Sequence, residues 1–443
     1  MKMKKARRLA APLLSILMIL PVAAEDKGPL VLGMKEAIAL SLQTQVDVKL
    51  ARARTEEARA RAIQSASALL PQLIGTASQT RIYRENLAAM GFGAFPGIPP
   101  LIGPFNVFDA RIRLTQELLD VGSLQTAGAA RRTAEASSIR EELVRVQMAA
   151  ATALAYIEAL RAGKARETAR SGVELARKLE TQARDQNEAG SAAGIDVARA
   201  RTRTAEENLR LVQAEFAVRD SDVRLKRLIG VPLNRTLQLT DPLTFSEREI
   251  PPLDQSTALA LGKRAELRIA DQELLAAEKT LSAARWNRAP SLSLAADWGL
   301  SGNDPDNHDR TTGSLGVHLG IPLFTSGGIS GRIDEARGRR EEAEASRDDL
   351  RVKIEEDVLL ALDRLRISAD QVKTAEEAVG LAEKELSMAQ NRYATGAGDN
   401  VEVVAAQTAL ARVQDAYVAA LADRGAARIN FSMAMGTMAD FRF

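Results

Sequence analysis

Two very long stretches of the 443-residue chain contain no proline, Phe105 to Val231 and Leu323 to Phe443, while elsewhere proline recurs at short intervals. Proline costs ~3 kcal/mol inside a helix, so its absence over more than a hundred residues, twice, is a licence for very long helices. A single helix from Leu124 to Glu188 would reach nearly ~100 Å at about 1.5 Å per residue. Few globular domains need such a rod, and this chain sets the pattern out twice.

The residues between the rods read differently. Met34 to Leu70 is helix-forming sequence that stops at Pro71, which also disfavours a helical Leu70. Gln72 to Arg84 is rich in Thr, Ser and β-branched residues and predicts a strand. Gly91 to Pro104 is a loop, and Phe105 to Gln116 alternates, with Phe108, Ala110, Ile112 and Leu114 opposite Asp109, Arg111, Arg113 and Thr115. The long helix follows, then a turn at Gly190 to Gly194 and a second helix from Asp196 to Leu228. After Pro232, Pro242, Pro251 and Pro252 the order restarts. Thr257 to Arg288 is helical; Ser291 to Leu300 and Thr311 to Pro322 alternate around the polar loop Ser301 to Arg310. Helix Ile329 to Ala394, a turn at Gly396 to Asn400 and helix Val401 to Ala434 complete it.

Helix, strand, loop, strand, long helix, turn, helix thus occurs twice, the mark of an internal repeat. Gln45 to Ala51 echoes Arg264 to Ala270, and Ala189 to Val197 echoes Thr395 to Val403. The expected division is a leader over 1–24, one repeat over 25–240 and a second over 241–443.

The leader is expected from Lys2, Lys4, Lys5, Arg7 and Arg8, the apolar run Leu9 to Leu20 and Val22-Ala23-Ala24, which together predict a secretory signal peptide cut after Ala24. Its removal turns a formal net charge of +2 into a slight acidic excess, because the segment holds five bases and no acid. No later stretch is read as approaching the length and apolarity of a transmembrane helix. The absence of cysteine excludes disulfides, thiol chemistry and a lipidated N-terminal cysteine. Aromatic residues are only 4% of the chain, too few for one large compact core and suited to alanine-lined helix contacts.

The strand pattern makes the strongest physical demand. Each strand is about ten residues with one apolar and one polar face, the format of a transmembrane β-strand. A sheet in lipid must close on itself, and four strands cannot, since about eight is the working minimum. Either the hairpins lie in water or several chains pool their strands; three chains would give twelve. In Val401 to Leu421, Val403, Leu410 and Tyr417 recur at seven, as do Ala406, Val413 and Ala420, which marks a coiled-coil seam.

Several motifs resemble the outer-membrane efflux protein family of the TolC type. They are Met34-Lys-Glu-Ala-Ile-Ala-Leu40, Leu69-Leu-Pro-Gln-Leu73, Ile229-Gly-Val-Pro-Leu233, Ile321-Pro-Leu-Phe-Thr-Ser-Gly-Gly328, and Gly396 followed by Val401-Glu-Val403. The resemblance runs from about residue 30 to 436. It implies a mainly α chain with a small β part, assembled as a homotrimer with a twelve-stranded barrel in the outer membrane and a long α-helical barrel in the periplasm. An equatorial belt would form around residues 230–262 and near the C-terminus. It also implies a passive exit duct of a tripartite efflux or type I secretion system, docked to a periplasmic adaptor and an inner-membrane pump, with no cofactor.

The family's periplasmic gate places Asp196, Tyr393 and Glu402 on matching positions, with Asp399 beside them. Its usual arginine falls on Gly398 and a second acid on Ala405, leaving Arg392 as a candidate replacement. The first repeat also departs at Glu117 to Ser123, where the family often shows an aromatic and paired glycines. Asp109, Arg111, Arg113 and His318 are expected on the barrel lumen. The structural alternatives are a helix-start carboxylate for Asp196, a capping pair for Asp399 with Glu402, packing for Tyr393 and a plain solvated face for the strand residues. His308 and His318 lie on different elements and predict no metal site, nucleic acid is not expected as a partner, and no set of nucleophile, base and ligands predicts an enzyme. The competing reading is a soluble periplasmic coiled-coil scaffold or adaptor with its hairpins in water. The exported cargo is not legible.

Overall fold

A computed structural model describes residues 28–87, 89, 99–244, 250–306 and 310–438. The expected signal peptide, His308 and most of the loop over Gly91 to Pro104 lie outside them. In chain order the elements are β1 Leu30–Leu32, α1 Met34–Thr44, α2 Val46–Ser67, β2 Gln72–Ile82, β3 Glu85–Asn86, β4 Leu101–Ile102, β5 Phe105–Leu119, α3 Val121–Glu188 and α4 Gly194–Ile229. The second half supplies β6 Leu237–Leu239, α5 Leu253–Lys263, α6 Ala265–Trp286, β7 Ser291–Gly302, β8 Arg310–Gly320, α7 Gly328–Ala394 and α8 Asn400–Ala434.

Both long rods are present, α3 with 68 residues and α7 with 67. Asp120 starts α3 by accepting the Ser123 amide at 2.9 Å, which satisfies a donor that the first turn leaves free. Left-handed glycines end the helices: Gly190 after α3, Gly230 after α4 and Gly396 after α7. At Gly230 the geometry is doubly selective, because a Cβ there would meet the Thr44 side chain at 2.5 Å.

Three expectations need correction. Met34 to Leu70 is not one helix, because the chain breaks at Gln45, whose ψ is 135°. Thr257 to Arg288 breaks in the same way at Arg264, ψ 125°. Neither break contains Gly or Pro; side chains hold them. Gln45 Nε2 donates to the Arg227 carbonyl at 2.8 Å and to that of Leu228, capping the end of α4. Arg264 reaches Glu266 at 2.9 Å and Asp357 on α7 at 2.7 Å. The third correction concerns α3, which is long and apolar enough by length and composition to cross a membrane. Its Ala149, Ala150, Ala153, Tyr156 and Ile157 are nevertheless core residues.

The main core lies mid-length. There α3 meets α1, the C-terminal part of α4 and α8 through Ala37, Ala153, Tyr156, Ile157, Leu225, Ile229, Ala422 and Ile429. Gly425 lets α8 approach closely: a Cβ on it would sit 2.8 Å from Ile157 Cδ1. The parallel pair β1 and β6, too short for an alternating pattern, ties the N-terminal segment to the chain between the halves. Tyr156 closes this belt, donating to the Leu32 carbonyl at 3.0 Å and accepting the Asp241 amide at 3.4 Å. Burial pushes its phenol up to about 12.

At one end, β2, β5, β7 and β8 form a single antiparallel sheet in that order. The two hairpins are therefore joined through β5 and β7, and the edges β2 and β8 have no partner strand among the described residues. A further two-stranded pair, β3 with β4, extends the first hairpin. At the other end, α3 turns into α4 and α7 into α8.

Candidate functional site

Register decides what the sheet presents. Because side chains alternate, cross-strand partners share a face. On one face Leu73, Leu114 and Ala296 align with Leu315, and Ile112 aligns with Trp298. Leu294 faces Val317 and Leu292 faces Leu319. Trp298 is 62% exposed and Leu315 77%, so this is an uncovered apolar surface. The indole of Trp298 leans over Gly313, its cross-strand partner, with Cδ1 3.4 Å from where a Cβ would be.

The opposite face is polar. It carries Thr76, Ser78, Asp109, Arg111, Arg113, Ser293, Asp297, Ser314 and His318 in matching register. Asp109, Arg111, Arg113 and His318 are thus brought onto one surface, as their alternation predicts. Arg111 donates from Nε to Asp109 Oδ1 at 2.6 Å and from Nη1 to Asp297 Oδ1 at 2.8 Å. Ser314 donates to the other oxygen of Asp297, so the cluster spans three strands. Asp297 escaped the sequence reading although its place between Ala296 and Trp298 put it on the polar side of the alternation.

At the far end the two turns meet. Asn400 is buried and its Nδ2 donates to the Asp196 carbonyl at 2.8 Å. Asp196 behaves as a helix-start acid, accepting the Ala193 amide at 3.2 Å. Asp399 caps α8 by accepting the Glu402 amide at 3.0 Å. Glu402 does not reach back to complete a reciprocal capping box; its carboxylate pairs with Arg392, at 3.0 Å from Nε. Arg392 also donates to the Ala397 carbonyl at 3.2 Å, folding over the turn. Gly398 makes room for this, since a Cβ there would lie 3.0 Å from Arg392 Cβ. Tyr393 packs against the α7–α8 seam. Its buried hydroxyl makes no hydrogen bond among the described residues. Burial first, and the Asp196 charge second, raise its pKa above the usual phenol value. Asn400 gave no sequence signal, because a buried amide serving a neighbouring carbonyl looks like any other helix-start residue.

The chain matches the family model described as "Outer membrane efflux protein" over residues 37–231 and 257–437. Among curated relatives, the pyoverdine export outer membrane protein OpmQ of Pseudomonas aeruginosa is 24% identical over 86% of this chain and 80% of its own. The toluene efflux pump outer membrane protein TtgF of Pseudomonas putida is 26% identical over 68% of this chain and 62% of its own. Among solved structures, the outer membrane protein VceC of Vibrio cholerae superposes with a TM-score of 0.81 at 21% identity, over 91% of this chain and 96% of that one. The Campylobacter jejuni CmeC outer membrane channel gives 0.81 at 20% identity, over 91% and 85%. Family membership sets aside the soluble scaffold that the sequence also allowed. The chain belongs to the outer membrane efflux protein family and is an outer-membrane exit channel with a large periplasmic portion.

Proposed function

We propose that three copies of this chain pool their sheets into one twelve-stranded barrel, continued into the periplasm by a tube of the long helices. The observation that carries this is a four-stranded sheet with two bare edges and one uncovered apolar face. Open edges are not tolerated in hydrocarbon, and four strands are too few to close. The helices support the same assembly. Leu209, Val212, Phe216 and Val223 leave an exposed apolar stripe on α4, and Val352, Leu359, Ile367, Leu381 and Met388 leave another on α7. Both stripes ask for cover that a neighbouring copy would supply.

In this assembly the apolar sheet face meets lipid and the polar face, with Asp109, Arg111, Arg113 and His318, lines the lumen. Asp196, Tyr393, Asp399 and Glu402, with Arg392, form the contacts that hold the periplasmic end closed. The chain's two halves act as tandem repeats, each giving one hairpin and one long-helix pair. The duct is passive: a periplasmic adaptor docks it and an inner-membrane pump supplies the energy. The relatives' printed cargoes, pyoverdine and toluene, favour small molecules as the exported class.

Purified mature protein is expected to run as a trimer on native gels and to open ion-conducting channels in planar bilayers. Monomeric protein that conducts nothing would overturn the proposal. In the same bilayers Tyr393→Phe combined with Asp196→Ala is expected to raise conductance; an unchanged value would remove both residues from the gate.

A further inference from the structure

We propose that each copy of this chain meets the next through a repeat of the contact that joins its own two halves. In that joint α4 of one copy lies on α7 of the next, and Arg219 pairs with Asp363 across it. This rests on the threefold assembly proposed above and names the surfaces that make it. The internal repeat supplies the template. Setting Ala189 on Thr395 aligns α3 with α7 and α4 with α8, helices that agree in length to within one residue. Setting Pro71 on Pro290 aligns α2 with α6, each of 22 residues. Inside the chain, α8 of the second half packs on α3 of the first. On α8, Val418, Ala422 and Ile429 are 4%, 6% and 0% exposed, the last two in the core shared with α3. The same positions on α4 are Val212, Phe216 and Val223, which are 59%, 67% and 45% exposed. On the receiving side α3 gives Val146, Ala153 and Leu154 to that core. Their counterparts on α7, Val352, Leu359 and Leu360, all lie bare. The chain therefore holds this contact once filled and once as two separate apolar surfaces. The first surface of one copy laid on the second of the next is a head-to-tail joint, which closes into a ring.

The charges agree with this joint. Where α3 and α8 approach closely, a Cβ on Gly425 would lie 2.8 Å from Ile157 Cδ1. The counterparts of these two residues are Arg219 on α4 and Asp363 on α7. Arg219 is exposed and has no ion pair among the described residues. Asp363 reaches only Arg366 of its own helix, at 3.8 Å. The point that needs a glycine inside the chain thus receives opposite charges between chains. Phe216 and Arg219, standing where α8 has Ala422 and Gly425, set these two helices further apart than α3 and α8. The contact of α3 with α6 points the same way. Its pair of Glu142 with Arg268, at 3.1 Å, maps onto Asp348 on α7 and Lys49 on α2. Lys49 is exposed and has no ion pair among the described residues. The neighbouring pair of Arg140 with Glu273 maps onto Ser346 and Arg54 and predicts no bridge. Since α2 leads into β2 and β8 leads into α7, this joint continues the bare strand edges.

The test is the lifetime of the purified trimer in denaturing detergent, read on native gels. R219E and D363K are each expected to shorten it by about tenfold, because like charges facing each other across an interface repel. The two together should return it to within about threefold of wild type, since the pair is then restored in reverse. K49E and D348K should behave in the same way. Unchanged lifetimes for R219E and D363K, or a double variant no longer-lived than either single one, would overturn the pairing. Cross-linking serves where a charge reversal fails to assemble, and it is site-specific because the chain has no cysteine. R219C and D363C in one chain, treated with a short bis-maleimide, should give covalent dimers and trimers that neither variant gives alone. Trimers that do not link, or a link confined to one chain, would overturn the proposal. Wild-type protein that never forms a trimer would instead overturn the assembly on which it depends.

Discussion

The two helical hairpins, α3–α4 and α7–α8, match in length to within one residue per helix and have matching turns but are held together by different chemistry. Counting from the matched turns at Ala189 and Thr395, Glu207 on α4 corresponds to Val413 on α8, and Tyr156 on α3 to Leu362 on α7. In the second hairpin the seam is aliphatic: Ala382, Leu386, Ala389, Val403, Ala406 and Leu410, with Val413 beside them. In the first, alanines line α3 while α4 buries charge. Glu207 is 1% exposed and pairs with Arg203 and, at 3.3 Å, with Arg210. Arg210 continues to Asp415 on α8. Gly172 on α3 is the seat of this cluster, since a Cβ there would lie 2.6 Å from Glu207 Oε2. An aliphatic seam is tolerant of small slips, whereas a buried ion cluster is satisfied in one register only. The first hairpin is therefore pinned by a cluster of buried ion pairs, whereas in the second the buried Arg424 of α8 reaches a neutral acceptor, the Leu365 carbonyl of α7.

The largest expected effect comes from breaking the pinned side. Glu207→Ala removes the buried partner shared by Arg203 and Arg210, leaving Arg203 only the exposed Glu206, and should cost about 3–4 kcal/mol. Leu386→Ala in the aliphatic seam should cost about 2–3 kcal/mol. Both can be read from thermal loss of helical circular dichroism, and a smaller loss for Glu207→Ala than for Leu386→Ala would invert the comparison. Next is the belt. Tyr156→Phe removes both hydrogen bonds of the hydroxyl, about 1–2 kcal/mol, and also a pH dependence. The native phenol keeps its proton to about 12, whereas the unfolded chain releases it near pH 10. Between those values the unfolded state binds fewer protons, so stability falls as pH rises. Below pH 10 the group contributes no slope, and the Phe variant should lack this component of the decline.

A smaller effect is expected from giving the first hairpin the composition of the second. Arg203→Leu with Glu207→Val should melt within about 1 kcal/mol of wild type, because a well-packed apolar replacement of a buried pair is often neutral. A loss as large as that of Glu207→Ala would mean the charges do more than fix register. The smallest is Arg392→Ala. Its pair with Glu402 is half-exposed and should contribute under about 1 kcal/mol to stability, so any clear rise in bilayer conductance would speak for gating rather than for folding.

Much of this architecture is legible in the residues alone. The proline-free stretches mark the rods, period-two alternation marks three of the four long strands and Thr, Ser and β-branched content the fourth, and the seven-residue recurrence from Val403 to Ala420 marks the α8 seam. The breaks at Gln45 and Arg264 are not legible as breaks, because each depends on carbonyls or carboxylates contributed by distant segments. A trace existed: the matched segments Gln45 to Ala51 and Arg264 to Ala270 begin at those two residues. At the candidate sites, faces were readable and pairings were not. Alternation grouped Asp109, Arg111 and Arg113, but the link to Asp297 needs the β5–β7 pairing. Likewise Arg392 finds Glu402 only because Gly398 opens the turn, a matter of space rather than pattern.

The bare edges β2 and β8 also bear on how such a protein comes to exist. A lone chain would carry two rows of unsatisfied amides and carbonyls into the bilayer, each group costing several kcal/mol. Insertion of single copies followed by lateral meeting in the lipid is thus the steepest route. If three copies assemble as proposed, the cheaper sequence is for the helices to gather the chains in water first and for the barrel to close as it enters. Biogenesis would then be third order in chain at low supply, and a fragment carrying only the sheet would aggregate rather than insert.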